Sequence, residues 1–211
     1  MNTAAVYRDI EKKECQDNRK RLVIILLARP QNHYAKHIMR DFDYMHVNTG
    51  ELCNVYAVGF SISVSISGAI LRFRKTIEVD GVTWYYSDQV FNELKQYLEY
   101  ILDWEYTGEI TALILQNAPG EEDPLDFSGS VSIDLGNALY KGFRFHRFME
   151  GLMHTLKREL GNRQDSIDGN NAHLDVEGIT KDAFMKCLPI DSIEKELLYS
   201  QCVQRITPRW R

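Results

Sequence analysis

Leu22-Val-Ile-Ile-Leu-Leu-Ala28 is the stretch that decides the fold. A half-buried strand alternates polar and apolar residues, whereas this run has no polar residue and is typical of a strand buried on both faces. A membrane-spanning helix needs about twenty apolar residues, so this run is too short to cross a bilayer. The run therefore predicts a central strand, ended by Pro30 and flanked by strands at Val55–Ile62 and Ile110–Gln116.

The rest of the chain predicts alternating helices and strands. Asp80-Gly81 lies between two β-prone runs and predicts a hairpin turn. Ser87 or Asp88 is expected to cap the helix that follows, and Asp191 to begin the last helix. Apolar spacing then predicts helices at 31–42, 88–104, 143–160, 180–188 and 191–204, and further strands at 72–79, 82–86 and 130–135.

The order of elements between Leu22 and Leu160 resembles the thioredoxin-like fold, a four-stranded mixed sheet with helices on both faces. In that family a Cys-x-x-Cys pair begins the first helix, and here Arg29-Pro30-Gln31-Asn32 stands in its place. The proline that precedes the third core strand is also replaced, by Tyr106-Thr107-Gly108-Glu109. Because both thiols are missing, the resemblance implies a member that does not exchange disulfides.

The fold class expected from this resemblance is α/β, with a β-hairpin insert and extra C-terminal helices added to the core. Three segments follow: a charged N-terminal segment at 1–20, a thioredoxin-like domain at 21–161, and a C-terminal helical extension at 162–211. Segment 1–20 is expected to be loose or to form a short surface helix. Additions to a shared core often carry a protein's specific role.

Composition limits the classes of function. With 44% hydrophobic and 26% charged residues, the chain is ordinary for a globular protein. Asp and Glu number 30 against 25 Lys and Arg, and this excess of acid disfavours binding to nucleic acid. The four cysteines form no Cys-x-x-Cys pair, and Leu22–Ala28 lies too far along the chain for a signal peptide. We therefore expect reduced thiols, a cytoplasmic location and no membrane association.

A histidine-rich stretch gives a candidate site for a transition metal. On a single helix His33, His37 and Asp41 would be spaced i, i+4, i+8 and would share a face. With Asp43 and His46 they could bind a transition metal, although the glutamate of a His-Glu-x-x-His metalloprotease is missing. The alternative interpretation is a solvated helix face with local ion pairs.

Other polar stretches are expected to be structural. The acidic loop Gly120–Asp126 predicts a solvated hairpin tip, and alternation places Ser130, Ser132 and Asp134 on a solvent-facing side. Ser128-Gly129-Ser130 is not followed by a helix, so it is not a nucleophile elbow. Glycine-rich phosphate loops are absent from the sequence, and no cofactor is expected.

Aromatic and arginine residues suggest where a partner would bind. Tyr, Trp and Arg are enriched at interfaces, although aromatics beneath a hairpin also serve as core. The candidate partner-binding residues are Trp84, Tyr85, Tyr86, Arg209, Trp210 and Arg211. The leading hypothesis is a redox-inactive module that binds a protein or associates with itself as a homo-oligomer, as an accessory component of a multi-protein bacterial system. The alternative is a metal-dependent hydrolase that uses the cluster at 33–46.

Overall fold

The computed structural model describes residues 2–4, 7–16, 19–49, 52–61, 74–79, 81–164, 173–188 and 190–209. These residues form a mixed α/β structure. The elements in chain order are β1 (Asn2–Ala4), α1 (Tyr7–Glu14), β2 (Leu22–Leu27), α2 (Ala35–Thr49), β3 (Cys53–Val58), β4 (Phe60–Ser61), β5 (Arg74–Val79), β6 (Val82–Tyr86), α3 (Asp88–Ile101), β7 (Thr111–Asn117), β8 (Leu125–Asp134), α4 (Leu135–Tyr140), α5 (Phe145–Gln164), α6 (Val176–Cys187), α7 (Ser192–Cys202) and β9 (Val203–Arg205). Among these helices, none is both long and apolar enough to cross a bilayer.

The main sheet has six strands in the order β1-β3-β2-β7-β8-β9. β2 pairs in parallel with β3, Leu22 opposite Cys53, and antiparallel with β7, Val23 opposite Leu115. All six residues of β2 are buried. Because successive side chains of a strand point to opposite faces, both faces of the sheet are covered at β2. The predicted central strand is confirmed.

A second, smaller sheet contains the predicted hairpin. Its three strands lie in the order β4-β6-β5, and Val79 pairs with Val82 across the turn. Trp84 and Tyr86 are buried and contact Phe60, with ring centroids 6.4 and 4.9 Å away. Gly59 has a φ of 79°, and a Cβ added there would lie 2.9 Å from Tyr86 Cε2. Glycine is therefore required where the chain passes from the main sheet to the small one.

Both flanking segments contribute strands to the main sheet. β1 pairs in parallel with β3 at one edge, and β9 pairs with β8 at the other. Beyond β9, Ile206 is fully buried and its N–H donates to Ser130 O at 2.8 Å. The Arg209 N–H donates to Ile101 O at 2.9 Å, at the end of α3. The main sheet therefore contains strands from all three expected segments, 1–20, 21–161 and 162–211.

Local hydrogen bonds explain where helices begin. Ser87 caps α3 by accepting from the Val90 N–H at 3.4 Å, and Asp191 caps α7, as predicted. Helix α2 begins at Ala35 rather than at residue 31. Asn32 forms a turn there, because its side-chain oxygen accepts from the Tyr34 N–H at 3.0 Å. His33 therefore precedes the helix, and the expected i, i+4, i+8 spacing on one helix is wrong for this residue.

The expectation that one side of β8 faces solvent is also wrong. Ser130 is fully buried and Ser132 is 5% exposed. β8 lies between β7 and β9, and α6 and α7 contact it, so its serine side is covered as well as its apolar side. Asp134 instead caps α4, where its side chain accepts from the Asn137 N–H at 3.0 Å.

Candidate functional site

A polar network fills the place where the resemblance would put a redox pair. Asn32 Nδ2 donates to Glu109 Oε2 at 3.0 Å and so links the turn after β2 to the loop before β7. Arg29 Nη2 donates to Asn92 Oδ1 at 3.0 Å, and its guanidinium lies 4.8 Å from the centroid of the Phe91 ring. The side chains at this edge of the sheet can hold position by hydrogen bonds and cation–π contact, but none of them is a thiol.

The described part of the predicted metal cluster does not converge. His33 and His37 are exposed, and the centroid of the His33 ring lies 4.1 Å from that of the Tyr34 ring. Asp41 Oδ2 is 3.6 Å from Nδ1 of His146, a residue of α5. Asp43 and His46 belong to α2, but their side chains lie outside the described part of the structure. No group of three or more His, Cys, Asp or Glu side chains in the described residues is arranged to hold a metal ion.

The candidate partner-binding residues fall into three groups. Trp84 and Tyr86 are buried in the core, so their side chains cannot contact a partner directly, and this part of the prediction is corrected. Tyr85 is half-buried and Arg209 is exposed. Trp210 and Arg211 lie outside the described residues.

The four cysteines differ in exposure. Cys15 is exposed, whereas Cys53, Cys187 and Cys202 are buried. Burial raises the pKa of the Cys187 thiol to about 12 and that of Cys202 to about 11. It also raises the pKa of Cys53, with Glu14 adding to the rise. The three buried thiols therefore stay protonated at neutral pH, and the thiol form is a poor nucleophile.

A cleft of about 330 Å³ lies between the end of α3, the start of β8 and the segment after β9. Its wall is about equally polar and apolar, and Asp123, Asp126 and Ser128 contribute acidic and hydroxyl groups. Its lining residues are Tyr97, Ile101, Leu102, Asp123, Leu125, Asp126, Phe127, Ser128 and Pro208. Small-molecule sites are concavities lined mostly by apolar side chains, and this cleft is more polar than that.

A β-bulge brings Ser128 to this cleft. Gln116 of β7 pairs with Asp126, and Ile114 pairs with Val131, so the single residue Leu115 faces four residues of β8. Gly129, within the bulge, has a φ of 78°. Bulges re-aim side chains next to functional sites, and a positive φ is most easily adopted by glycine. The bulge thus takes Ser128 out of the regular alternation of β8.

Three side chains meet at the bulge. Ser128 Oγ donates a hydrogen bond to Asp126 Oδ1 at 2.5 Å and lies 2.8 Å from His173 Nε2. His173 Nε2 is also 3.1 Å from Asp126 Oδ2. His173 Nδ1 lies 2.8 Å from Leu174 O. A Cβ added at Gly129 would lie 3.5 Å from His173 Cε1, so the glycine borders the imidazole ring.

Gln116 fixes the positions of this serine, histidine and aspartate. Gln116 is only 2% exposed, and both its amide nitrogen and its amide oxygen form hydrogen bonds. Nε2 donates to Asp126 Oδ2 at 2.6 Å, and Oε1 accepts from the Leu174 N–H at 2.8 Å. Because Leu174 follows His173 directly, the amide ties the histidine segment to the strand that carries Asp126 and Ser128.

Sequence reasoning missed this constellation for a physical reason. Ser128 and His173 are separated by 45 positions, and no local pattern records which distant residues meet. One signal was available, because a glycine inside a β-prone run indicates a bulge. Gly129 therefore indicated where the bulge lies, but it gave no sign that His173 contacts Ser128 there.

A second buried polar network surrounds Glu14, which is fully buried at the end of α1. Its carboxylate accepts hydrogen bonds from the Tyr56 hydroxyl and from Asn54 Nδ2, the latter at 2.7 Å. Arg21 Nε lies 3.8 Å from Glu14 Oε2. Burial raises the pKa of Tyr56, and Glu14 raises it further, so the hydroxyl stays a donor. This network joins α1 to the main sheet, and its residues do not line the cleft beside Ser128.

Comparison with known proteins finds no matching family model, no similar curated protein and no similar solved structure.

Proposed function

We propose that this chain is a redox-inactive, thioredoxin-like module that acts by association, with a second copy of itself as the partner. The order of β3, β2, β7 and β8 supports the thioredoxin-like part of the proposal. A parallel pair joined through α2 and an antiparallel pair of later strands is the arrangement that the resemblance implies. The cytoplasmic setting and a role in a multi-protein system belong to the same proposal.

The observation that carries the association is the exposed face of α7. Ile193 is 81% exposed and Leu197 is 58% exposed, whereas Leu198 is buried. Residues four positions apart lie on the same helix face, so Ile193 and Leu197 form an apolar pair directed to solvent. Burying two such side chains against another chain would favour association through the hydrophobic effect.

Charges placed on this face are expected to separate the copies. The double variant Ile193→Glu/Leu197→Glu puts two like charges at the contact, so the dissociation constant of the oligomer should rise at least tenfold. This rise corresponds to a loss of about 1.4 kcal/mol in the free energy of association. Light scattering after size exclusion, over a range of concentrations, measures the mass relative to the 24.5 kDa chain.

Tyr100→Glu is the control for an acidic substitution on another face, because Tyr100 is 65% exposed on α3 and the variant adds one of the two charges of the double variant. Its oligomeric mass should equal that of the unmodified chain. A mass of one chain for the unmodified protein at every concentration would refute self-association.

We expect the chain to show no disulfide reductase activity. Because Arg29–Asn32 replaces a thiol pair and the buried thiols stay protonated, reduction of insulin disulfides in the presence of dithiothreitol should match the uncatalysed rate. At neutral pH iodoacetamide should modify Cys15 first, and mass spectrometry of the peptides identifies the site. Insulin reduction above background that disappears in Cys53→Ser would contradict the proposal.

The metal-dependent hydrolase is the weaker proposal for this chain. It would need His37 and Asp41 to reach a common ion, whereas Asp41 lies beside His146 and His33 precedes the helix. The described side chains therefore lend it no support.

A further inference from the structure

The chain is acidic overall, but the connection between α4 and α5 is basic. Residues 140–149 include Lys141, Arg144 and Arg147 and contain no Asp or Glu. These three cations, here called the basic corner, are exposed, and none of them forms an ion pair with a carboxylate of the described residues. Tyr140, beside them, is 75% exposed, and tyrosine and arginine are both enriched at protein interfaces.

The basic corner lies where its charge is unfavourable for the helix that follows. The first turn of α5 has no acidic residue, and Arg144 and Arg147 lie at the start of this helix. The N-terminal end of a helix carries a partial positive charge, so cations placed there are unfavourable. Sequences break such local rules mainly at functional sites. The basic corner is therefore a candidate surface for an anionic partner.

The cleft between α3 and β8 has the opposite charge. Asp123 and Asp126 line it, and Glu121 and Glu122 precede Asp123 in an exposed loop. Asp126 already accepts hydrogen bonds within the chain, whereas Asp123 forms no ion pair with any residue that the structure describes. Burial raises the pKa of Glu11 on α1, and the nearby carboxylate of Asp123 raises it further. A cation entering the cleft would therefore reduce the repulsion among these carboxylates.

The mixed polar and apolar wall of the cleft suits an arginine side chain. Arginine has an apolar stem, which packs against apolar groups, and a planar charged head. Ile101 and Phe127 can contact the stem, and the ring of Tyr97, which is 40% exposed, can stabilise the guanidinium. Asp123 supplies a carboxylate, the group that a guanidinium binds with two hydrogen bonds. A volume of about 330 Å³ has room for one such side chain.

The cleft and the basic corner lie towards opposite ends of β8. The loop with Asp123 precedes this strand, and the basic corner follows α4 after the strand has ended at Asp134. A strand of ten residues spans roughly 30 Å, at about 3.3 Å per residue. Among the described ion pairs, none joins the two surfaces. Their opposite charges therefore favour a contact between two copies of the chain.

We propose that the cleft receives Arg144 or Arg147 from the basic corner of a second copy of this chain. The inference rests on the self-association proposed above and adds a contact separate from the α7 face. Because the cleft and the basic corner are different surfaces, the copies associate head to tail, and the contact adds further copies unless it closes a ring. Opposite charges on the two surfaces also accelerate the encounter of copies.

Reversing the charge of each surface in a separate variant of the full chain tests the contact. The corner variant and the cleft variant are Lys141→Glu/Arg144→Glu/Arg147→Glu and Glu121→Lys/Glu122→Lys/Asp123→Lys. In either variant alone the two surfaces no longer have opposite charges, so the contact should be lost. In an equimolar mixture each surface again meets one of opposite charge. Sedimentation velocity with one variant carrying a dye should give a dissociation constant for the mixture at least tenfold below that of either variant alone. In 0.5 M NaCl this difference should largely disappear.

A variant of equal net charge separates the basic corner from general repulsion. Lys36→Glu/Arg40→Glu/Lys157→Glu reverses three exposed cations outside the basic corner and should associate more tightly than the corner variant. Circular dichroism checks that each variant is folded. Equal association of the corner variant and this control, or a mixture no tighter than the separate variants, would overturn the proposal. Because the α7 face is unchanged in all of these variants, the comparison does not depend on that face, and failure of the Ile193→Glu/Leu197→Glu prediction would be a separate result.

Discussion

Replacing Glu14 with alanine is expected to lower the free energy of unfolding by about 3–5 kcal/mol. Glu14 is fully buried, and its carboxylate faces Arg21, which is 7% exposed. The variant removes that carboxylate while the arginine stays buried, and it takes an acceptor from the Tyr56 hydroxyl. Removing one member of a buried charged pair costs far more than removing a surface charge, because the remaining charge has been transferred from water. Urea titration followed by tryptophan fluorescence measures the change.

Two further variants test the cause of the loss. Glu14→Gln keeps an acceptor for Tyr56 but removes the charge opposite Arg21, so its loss should be intermediate. Glu121→Ala removes an exposed carboxylate from the loop before β8 and should change stability by no more than about 0.5 kcal/mol. A loss below about 1 kcal/mol for Glu14→Ala would mean that the network adds little to stability.

Trp84→Ala is also expected to lower the free energy of unfolding by about 3–5 kcal/mol, but for a different reason. The indole is 1% exposed and lies edge-on to Phe60 in the small sheet, so its removal leaves a large cavity. Tyr85→Ala, at the half-buried neighbouring position, should cost clearly less. The same urea titration compares the two variants.

The Trp84 variant also decides between a core and an interface role for the hairpin. If the residue is core, folded Trp84→Ala keeps the oligomeric mass of the unmodified chain while its unfolding midpoint falls. Near-normal stability combined with loss of association would instead place the indole at a surface.

Sequence patterns predicted the elements whose signals are local. β2 was predictable because six consecutive apolar side chains have no alternative to burial on both faces. The hairpin at residues 80–81 and the caps Ser87 and Asp191 were predictable because turn and cap chemistry depends on neighbouring residues. These signals needed no knowledge of distant contacts.

Features that depend on distant contacts were not predictable. Glu14 follows two lysines and has the pattern of a solvated helix end, yet its partner Tyr56 lies 42 positions away. The strands β1 and β9 have three residues each, too few to show a period of two. Ser130 and Ser132 alternate as on an exposed face, but later helices cover them. The candidate site at Ser128 belongs to this second group, because its histidine comes from beyond α5.

The sheet places its most apolar strand in the interior and its shortest strands at the edges. A segment such as Leu22–Leu27, rich in β-branched and aliphatic residues and without charge, readily forms intermolecular β-structure when exposed. In the folded chain its backbone is paired on both sides, and the three-residue edges offer few free groups for another sheet to extend. Resistance to aggregation in this protein thus depends on remaining folded. In the absence of urea, unfolding that releases β2 would lead to precipitation rather than to a soluble unfolded chain, and the lifetime of the native state would then limit how long the protein persists in solution.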